Sequence, residues 1–384
     1  MRHVVRSIIA RAARITAVTL LALLPATGLA QAPIGAIPFD AGWTLRGDSA
    51  RIESFDGRQT FSVQSGFAFR SDARLMDGSI DFDVWTTERR SFVYLMFRVQ
   101  DDSTYEEFYL RPHKSDAPDA LQYAPVYQAA SAWQLYHGAT GTAPVAIPDG
   151  RWNHVRVVLR GRQAAFFVND TVRPALIVHR LGHEPRAGSI ALRGFLPAGV
   201  PGAGPIARFS NVVVRPDHVP FDFPAPTVPS DEGVVRSWLV GAPFAATDPV
   251  ATDREETARW RRVEALPGGL VELHRLVPLP SGMRNPAVTA RLVVHADTAG
   301  AYAMDLGFSD IVTASVNGVP LFRGDDSYDY ANRRDGLIAF SQARLYLPLR
   351  AGRNTLDLTV SDVFGGWGMM ARFPSMAGLR LLER

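Results

Sequence analysis

The sequence predicts an all-β protein made of two β-sandwich domains joined by a Pro-rich linker and preceded by a removable leader. Three observations predict it. From Phe39 onward, short alternating runs are punctuated by Gly, Asp and Pro, with no long helical period. At 384 residues and 47% hydrophobic, the chain is long and apolar enough for two cores. Five prolines (Pro216, Pro220, Pro224, Pro226 and Pro229) then fall between the two β-rich halves, a composition that makes a semi-rigid spacer. The chain has no cysteine, so disulfides and thiol chemistry are excluded and each fold rests on its core.

Residues 1–32 read as a signal peptide. Arg2, Arg6, Arg11 and Arg14 form a basic start, and Ile15 to Leu24 is an apolar run too short to span a bilayer. The small residues Gly28, Ala30 and Ala32 follow, as at a cleavage site. The expected location is periplasmic or extracellular, with no transmembrane anchor after cleavage. The net charge of +3 belongs to this leader: it carries four arginines and no acid, and its removal leaves −1. A nearly neutral mature protein lacks the electrostatic footprint of a nucleic-acid binder.

The first domain is expected over 39–215. Gly78 to Trp85 puts Ile80, Phe82 and Val84 on one face and Asp81, Asp83 and Trp85 on the other. In Ser91 to Val99, Val93, Leu95, Phe97 and Val99 share a face, opposed to Tyr94, Met96 and Arg98. Tyr105 to His113 is the most unusual strand: Tyr105, Glu107, Tyr109, Arg111 and His113 line one side, and Glu106, Phe108, Leu110 and Pro112 the other. Trp133 to His137 reads as a further aromatic strand. Trp152 to Gly161, then Ala164 to Asn169, form two strands around a Gly turn, and Asn169-Asp170 fits a tight hairpin turn.

That aromatic-led strand, Gly turn and Val-Asn-Asp ending resemble the concanavalin A-like or laminin-G-like jelly roll, with Gly188 to Gly194 and Ala207 to Val214 as its last strands. The resemblance implies a sandwich of a kind that hosts lectins, hydrolases and adhesion modules alike. After the linker (216–230), residues 231–384 carry Asn317-Gly318 between apolar runs and a Leu-rich segment with Gly352 and Asn354. These resemble the galactose-binding-like jelly roll, a module that in many members binds glycan and in others braces a neighbouring domain.

Neither a His-Glu-x-x-His nor a Gly-x-Ser-x-Gly motif is present, and the single lysine, Lys114, is in no phosphate loop. Ligand-binding candidates are Trp85, Tyr94, Arg98, Tyr105, Glu107, Tyr109, Arg111, His113 and Trp133. Aromatic faces with a few placed polar groups suit an oligo- or polysaccharide. Catalytic candidates are Asp81, Asp83 and Glu107. Asp81 and Asp83, i and i+2 on a strand, stand about 6.7 Å apart, near the roughly 5–5.5 Å separation of retaining glycosidases. Laminarinase-type hydrolases of this sandwich fold place a further Glu after a Glu-x-Asp, where this chain has Trp85 and Thr86. No cofactor is expected, except that Asp325, Asp326 and Asp329 offer oxygen ligands for Ca²⁺. His179 and His183 share a face only if their segment is a strand. Trp367, hemmed by glycines, is a plug or a platform. The expected function is glycan binding, with a glycoside hydrolase or lyase as the alternative and an adhesion or scaffolding protein as the third.

Overall fold

The computed structural model describes residues 32–47, 49–227, 230–246 and 260–382. The expected leader falls outside these residues except for Ala32, as does Pro229 of the linker. The regular structure of the described residues is almost all strand, with two short 3-10 turns and one four-residue helix, Leu273–Leu276. No helix among the described residues is long and apolar enough to cross a membrane.

The first half contains two antiparallel sheets. A front sheet runs Thr44–Arg46, Gly66–Leu75, Gly188–Phe195, Phe92–Asp101, Thr104–Leu110, Leu121–Tyr127, Thr142–Ala143. A back sheet runs Leu176–Val178, Gln163–Val168, Trp152–Arg160, Gly78–Thr86, Ala207–Pro216, Arg58–Val63, Arg51–Phe55. The period-2 pattern builds the core between them. Ile80, Phe82 and Val84 face Leu95, Phe97 and Phe108, all within one buried cluster. Phe108 of the front sheet stacks on Phe166 of the back, 5.0 Å between ring centroids. Each such fully buried side chain contributes about 1.5–3 kcal/mol.

The second half has its own pair of sheets and its own core, around Trp238, Leu306, Leu347, Leu358 and Trp367. Asn317-Gly318 makes the expected hairpin: Val316 pairs with Val319, and both turn residues have positive φ (51° and 78°). Trp367 is a plug, fully buried with its indole N–H on the Val360 carbonyl at 3.1 Å.

Several expectations change. Asn169-Asp170 is not a two-residue hairpin. It opens a seven-residue loop before Leu176, which pairs with Phe166, and Asp170 accepts the Val172 and Arg173 amides. The tight turn is Gly161-Arg162, between the paired Arg160 and Gln163. Trp133 to His137 is a turn rather than a strand. The Pro-rich segment is more than a spacer: Val219, Phe221 and Phe223 pack on Val158, Ala165 and Phe167 on the outside of the back sheet.

The Trp133 to His137 turn touches the second half. Gln134 is fully buried, donates to Asp310 Oδ1 at 3.2 Å and accepts the Gly366 amide at 2.8 Å. Tyr136 donates to Glu272 at 2.6 Å, and His137 Nε2 lies 2.5 Å from the Ile338 carbonyl. Ile338 itself belongs to the first core.

Candidate functional site

The outer side of the front sheet carries three cross-strand rows. Strand pairing aligns Phe67, Arg193, Tyr94, Tyr109 and Gln122 in the first, and Phe69, Ala191, Met96, Glu107 and Ala124 in the second. Tyr105, Val126 and Ser131 form the third. No further sheet among the described residues covers this side, yet Tyr105, Glu107, Tyr109 and Val126 are all under 9% exposed. The rows therefore form an enclosed floor.

Glu107 sits at its centre. Its row neighbours are Met96 on one side, with Ala191 one strand beyond, and Ala124 on the other. Ser131 Oγ donates to Oε1 at 2.6 Å, and Oε2 has no partner among the described residues. Burial raises the Glu107 pKa, opposed by the Ser131 hydrogen bond and the Arg193 charge. The Arg193 guanidinium lies 4.9 Å from the Tyr94 ring centroid and carries no carboxylate partner among the described residues. Tyr94 and Tyr105 are held above the ordinary phenol range, Tyr105 at about 12, by burial first and then by the Glu107 charge. Both remain neutral donors at ordinary pH.

The rest of the first row is committed to structure. Tyr109 donates to Gln122 Oε1 at 2.8 Å, and Arg111 binds Tyr109 Oη, Gln122 and the Asp119 carbonyl. Gln122 in turn donates to the Trp133 and Tyr136 carbonyls at 2.7 and 2.8 Å, fastening the Trp133 turn to the floor. His113 is at the margin, its Nδ1 accepting the Ser91 amide at 3.3 Å and its ring against Phe92. Burial, then the Lys114 and Arg111 charges, lower its pKa to about 4.

Of the sequence candidates, Tyr94, Tyr105, Glu107, Tyr109, Arg111, His113 and Trp133 thus share one region. Three do not. Asp81, Asp83 and Trp85 face outward from the back sheet, on the opposite side of the sandwich from Glu107, so no catalytic group can combine them. Their functional groups are also occupied. Asp81 binds Arg156 at 2.6 Å and Arg215 at 2.8 Å, and Asp83 binds Arg58 at 2.8 Å and Asn211 at 2.7 Å. His154 bridges the two carboxylates, with its pKa raised to about 9 by those hydrogen bonds. Trp85 packs edge-on to Phe55 under Arg208.

Arg98 also leaves the site. A bulge between Phe97 and Asp101, with Arg98 at φ 49°, turns it inward to the Met76 and Gly161 carbonyls at 2.8 Å and to Asp77 at 3.3 Å. Val99 moves to the outer side, beside Tyr105 and Val126.

The calcium candidates do not converge. Asp325 accepts the Ser327 amide and hydroxyl, Asp326 accepts Gln342 Nε2, and Asp329 accepts the Asn332 amide and side chain. No three His, Asp or Glu side chains among the described residues are grouped to hold a metal. His179 and His183 lie outside any strand, and His183 Nε2 is on the Val126 carbonyl at 2.9 Å.

Sequence reading missed Met96, Gln122, Ser131 and Arg193 as floor residues. Arg193 had a signal: Ser189, Ala191 and Arg193 alternate with Ile190 and Leu192.

Residues 39–212 match the family model of the 3-keto-alpha-glucoside-1,2-lyase-like domain. The comparison with curated proteins gave no match. Solved structures with which the chain aligns include a carbohydrate-binding module from Bacillus subtilis, at 15% identity over 47% of this chain and 98% of that one, TM-score 0.34. A β-glucanase from Bacillus licheniformis aligns at 10% identity over 47% and 94%, TM-score 0.35. Porphyranase B from Zobellia galactanivorans aligns at 10% over 45% and 84%, TM-score 0.32.

Proposed function

We propose that the protein is an exported carbohydrate-active lyase. In this reading it cleaves the C1–O bond of a 3-keto-glucoside by β-elimination on the front-sheet floor, with Glu107 as the base. One observation carries the reading: an enclosed carboxylate, its pKa raised by burial and one oxygen without a partner among the described residues, stands with two phenols and a guanidinium that has no carboxylate partner among them. The family match over 39–212 supports the substrate class. The leader expected over residues 1–32 supports export, and the separate cores support a two-domain division.

The chemistry asks for one base and one oxyanion site. A C3 ketone acidifies the C2 proton. Glu107 takes that proton, and the C–H electron pair moves into an enolate whose charge rests on the ketone oxygen. Tyr94, Tyr105 and Arg193 are the donors available to stabilise it. Collapse of the enolate restores the ketone, forms the C1–C2 double bond and expels the glycosidic oxygen, which leaves as an alcohol after receiving a proton from Glu107. A base is most effective with a pKa near the working pH, and burial shifts Glu107 that way. Two-carboxylate hydrolysis fits less well, because Glu107 is the one carboxylate in the three rows and hydrolysis needs a pair.

A second reading, glycan binding without turnover, draws on the aromatic density of Tyr94, Tyr105, Tyr109 and Trp133. The same assay separates the two. Purified protein incubated with methyl 3-keto-α-glucoside should release methanol and the unsaturated keto sugar. Glu107→Gln should lower that rate by at least about 100-fold while retaining affinity for the sugar. Saturable binding with no product from the unmodified protein would leave the binding reading standing and remove the lyase.

A further inference from the structure

The second half places an aromatic surface directly against the rim of the floor. The Trp133 turn, fixed to the floor by Gln122, presents its indole edge-on to Tyr328, 5.6 Å between ring centroids at 87°. Tyr328 lies against Phe364, also at 5.6 Å. From the first half, the Arg90 guanidinium lies 3.7 Å from the Tyr330 ring centroid, and Arg90 donates to Tyr328 Oη at 3.4 Å. Arg90 stands two residues before Phe92, whose ring touches Tyr94 and Tyr109. The surface meets the floor at the Phe92 end of the first row.

Its two outer rings are open: Tyr330 is 62% exposed and Phe364 57%. Their backbone is not loose. Asp310 Oδ2 accepts the Val363 and Phe364 amides at 2.7 and 2.8 Å, and Gln134 reaches Asp310 and Gly366 from the first half. The Tyr328 and Tyr330 loop is closed by reciprocal Asp329–Arg334 backbone bonds and by Arg334 on the Ser327 carbonyl. Both loops are therefore fixed relative to Trp133. Exposed rings held rigidly beside an enclosed polar floor are suited to the flat C–H face of a sugar.

We infer that Tyr330 and Phe364 form a subsite for the leaving-group sugar, so that the active site spans both halves and the second half sets which glycosides are accepted. The inference rests on the lyase reading for the identity of the ring on the floor. A glycoside that reaches from the floor to the rim would occupy both, and a methyl glycoside would fill the floor alone.

The test uses two ligands, methyl 3-keto-α-glucoside and the disaccharide maltose oxidised to the ketone at C3 of its non-reducing ring. Affinities are measured calorimetrically with the Glu107→Gln protein, and kcat/KM with the unmodified protein. The disaccharide should bind roughly five- to tenfold more tightly than the methyl glycoside. Tyr330→Ala and Phe364→Ala, each added to Glu107→Gln, should erase that difference and leave methyl glycoside affinity unchanged. Neither substitution removes a hydrogen bond that holds the loops. Equal affinities for the two ligands, or equal losses for both in the variants, would overturn the subsite. If the unmodified protein turns over both substrates without preference, the subsite falls and the lyase stands. If it prefers the disaccharide in binding but turns over neither, the lyase and the leaving-group role fall, and Tyr330 and Phe364 stand as a sugar-binding subsite. Binding of neither ligand overturns both.

Discussion

Glu106 and Glu107 are adjacent, both enclosed, and opposite in role. Glu106 points between the sheets, where Tyr123 donates to it at 2.6 Å and the His183 amide at 3.0 Å. Burial dominates over these bonds and carries its pKa to about 7. Both of its oxygens are occupied. Glu107, one residue on, has on the floor an oxygen without a partner among the described residues. The contrast comes from strand alternation alone. His154 shows a different economy of charge, since it bridges Asp81 and Asp83 on the far side. Its folded pKa of about 9 lies above the unfolded value of 6.5, so its stabilisation is complete below 6.5 and lost as pH rises through about 9. The two aspartates have lowered pKa values, so their contribution is present above 3.8 and lost as acid protonates them. His154→Ala should therefore lower the urea midpoint at pH 6 and converge with the parent protein by pH 10. A gap that stays constant across that range would mean that the ion network adds nothing beyond packing.

At the scale of elements, the Trp133 to His137 turn joins floor to second half. Gln134→Ala leaves the buried Gly366 amide without an acceptor, which costs about 1–3 kcal/mol. Urea unfolding should show a loss of that size, and an unchanged midpoint would mean the contact between halves is not a determinant of stability. Much of this element structure was legible in advance. Alternation in Tyr105 to Tyr109 grouped Tyr105, Glu107 and Tyr109 correctly, because a two-residue period is local. Their enclosure was not legible, since it arises from neighbouring strands and a turn. Arg98 was misplaced by a bulge that no residue type announces. The Trp133 segment looked like a strand because its composition is aromatic, but Gln122 and the second half hold it as a turn. Asp81 and Asp83 could not be separated from Glu107 by pattern, because sheet membership depends on long-range pairing.

The whole molecule follows from two cores. Apolar alternation made the all-β sandwich fold readable. What was unreadable is the contact between the two halves: Ile338 in the first core, Tyr136 on Glu272, and the aromatic contacts from Trp133 to Phe364. In the lyase reading this contact turns a sandwich face into an enclosed site. The most direct measurement follows the C2 proton of methyl 3-keto-α-glucoside by NMR in D₂O with catalytic protein. The account predicts loss of the C2 proton signal at a rate proportional to protein concentration, through exchange or elimination, with Glu107→Gln falling to the spontaneous rate. Loss at the spontaneous rate with the unmodified protein, or equal rates for the two proteins, would contradict the assignment of Glu107 as the base.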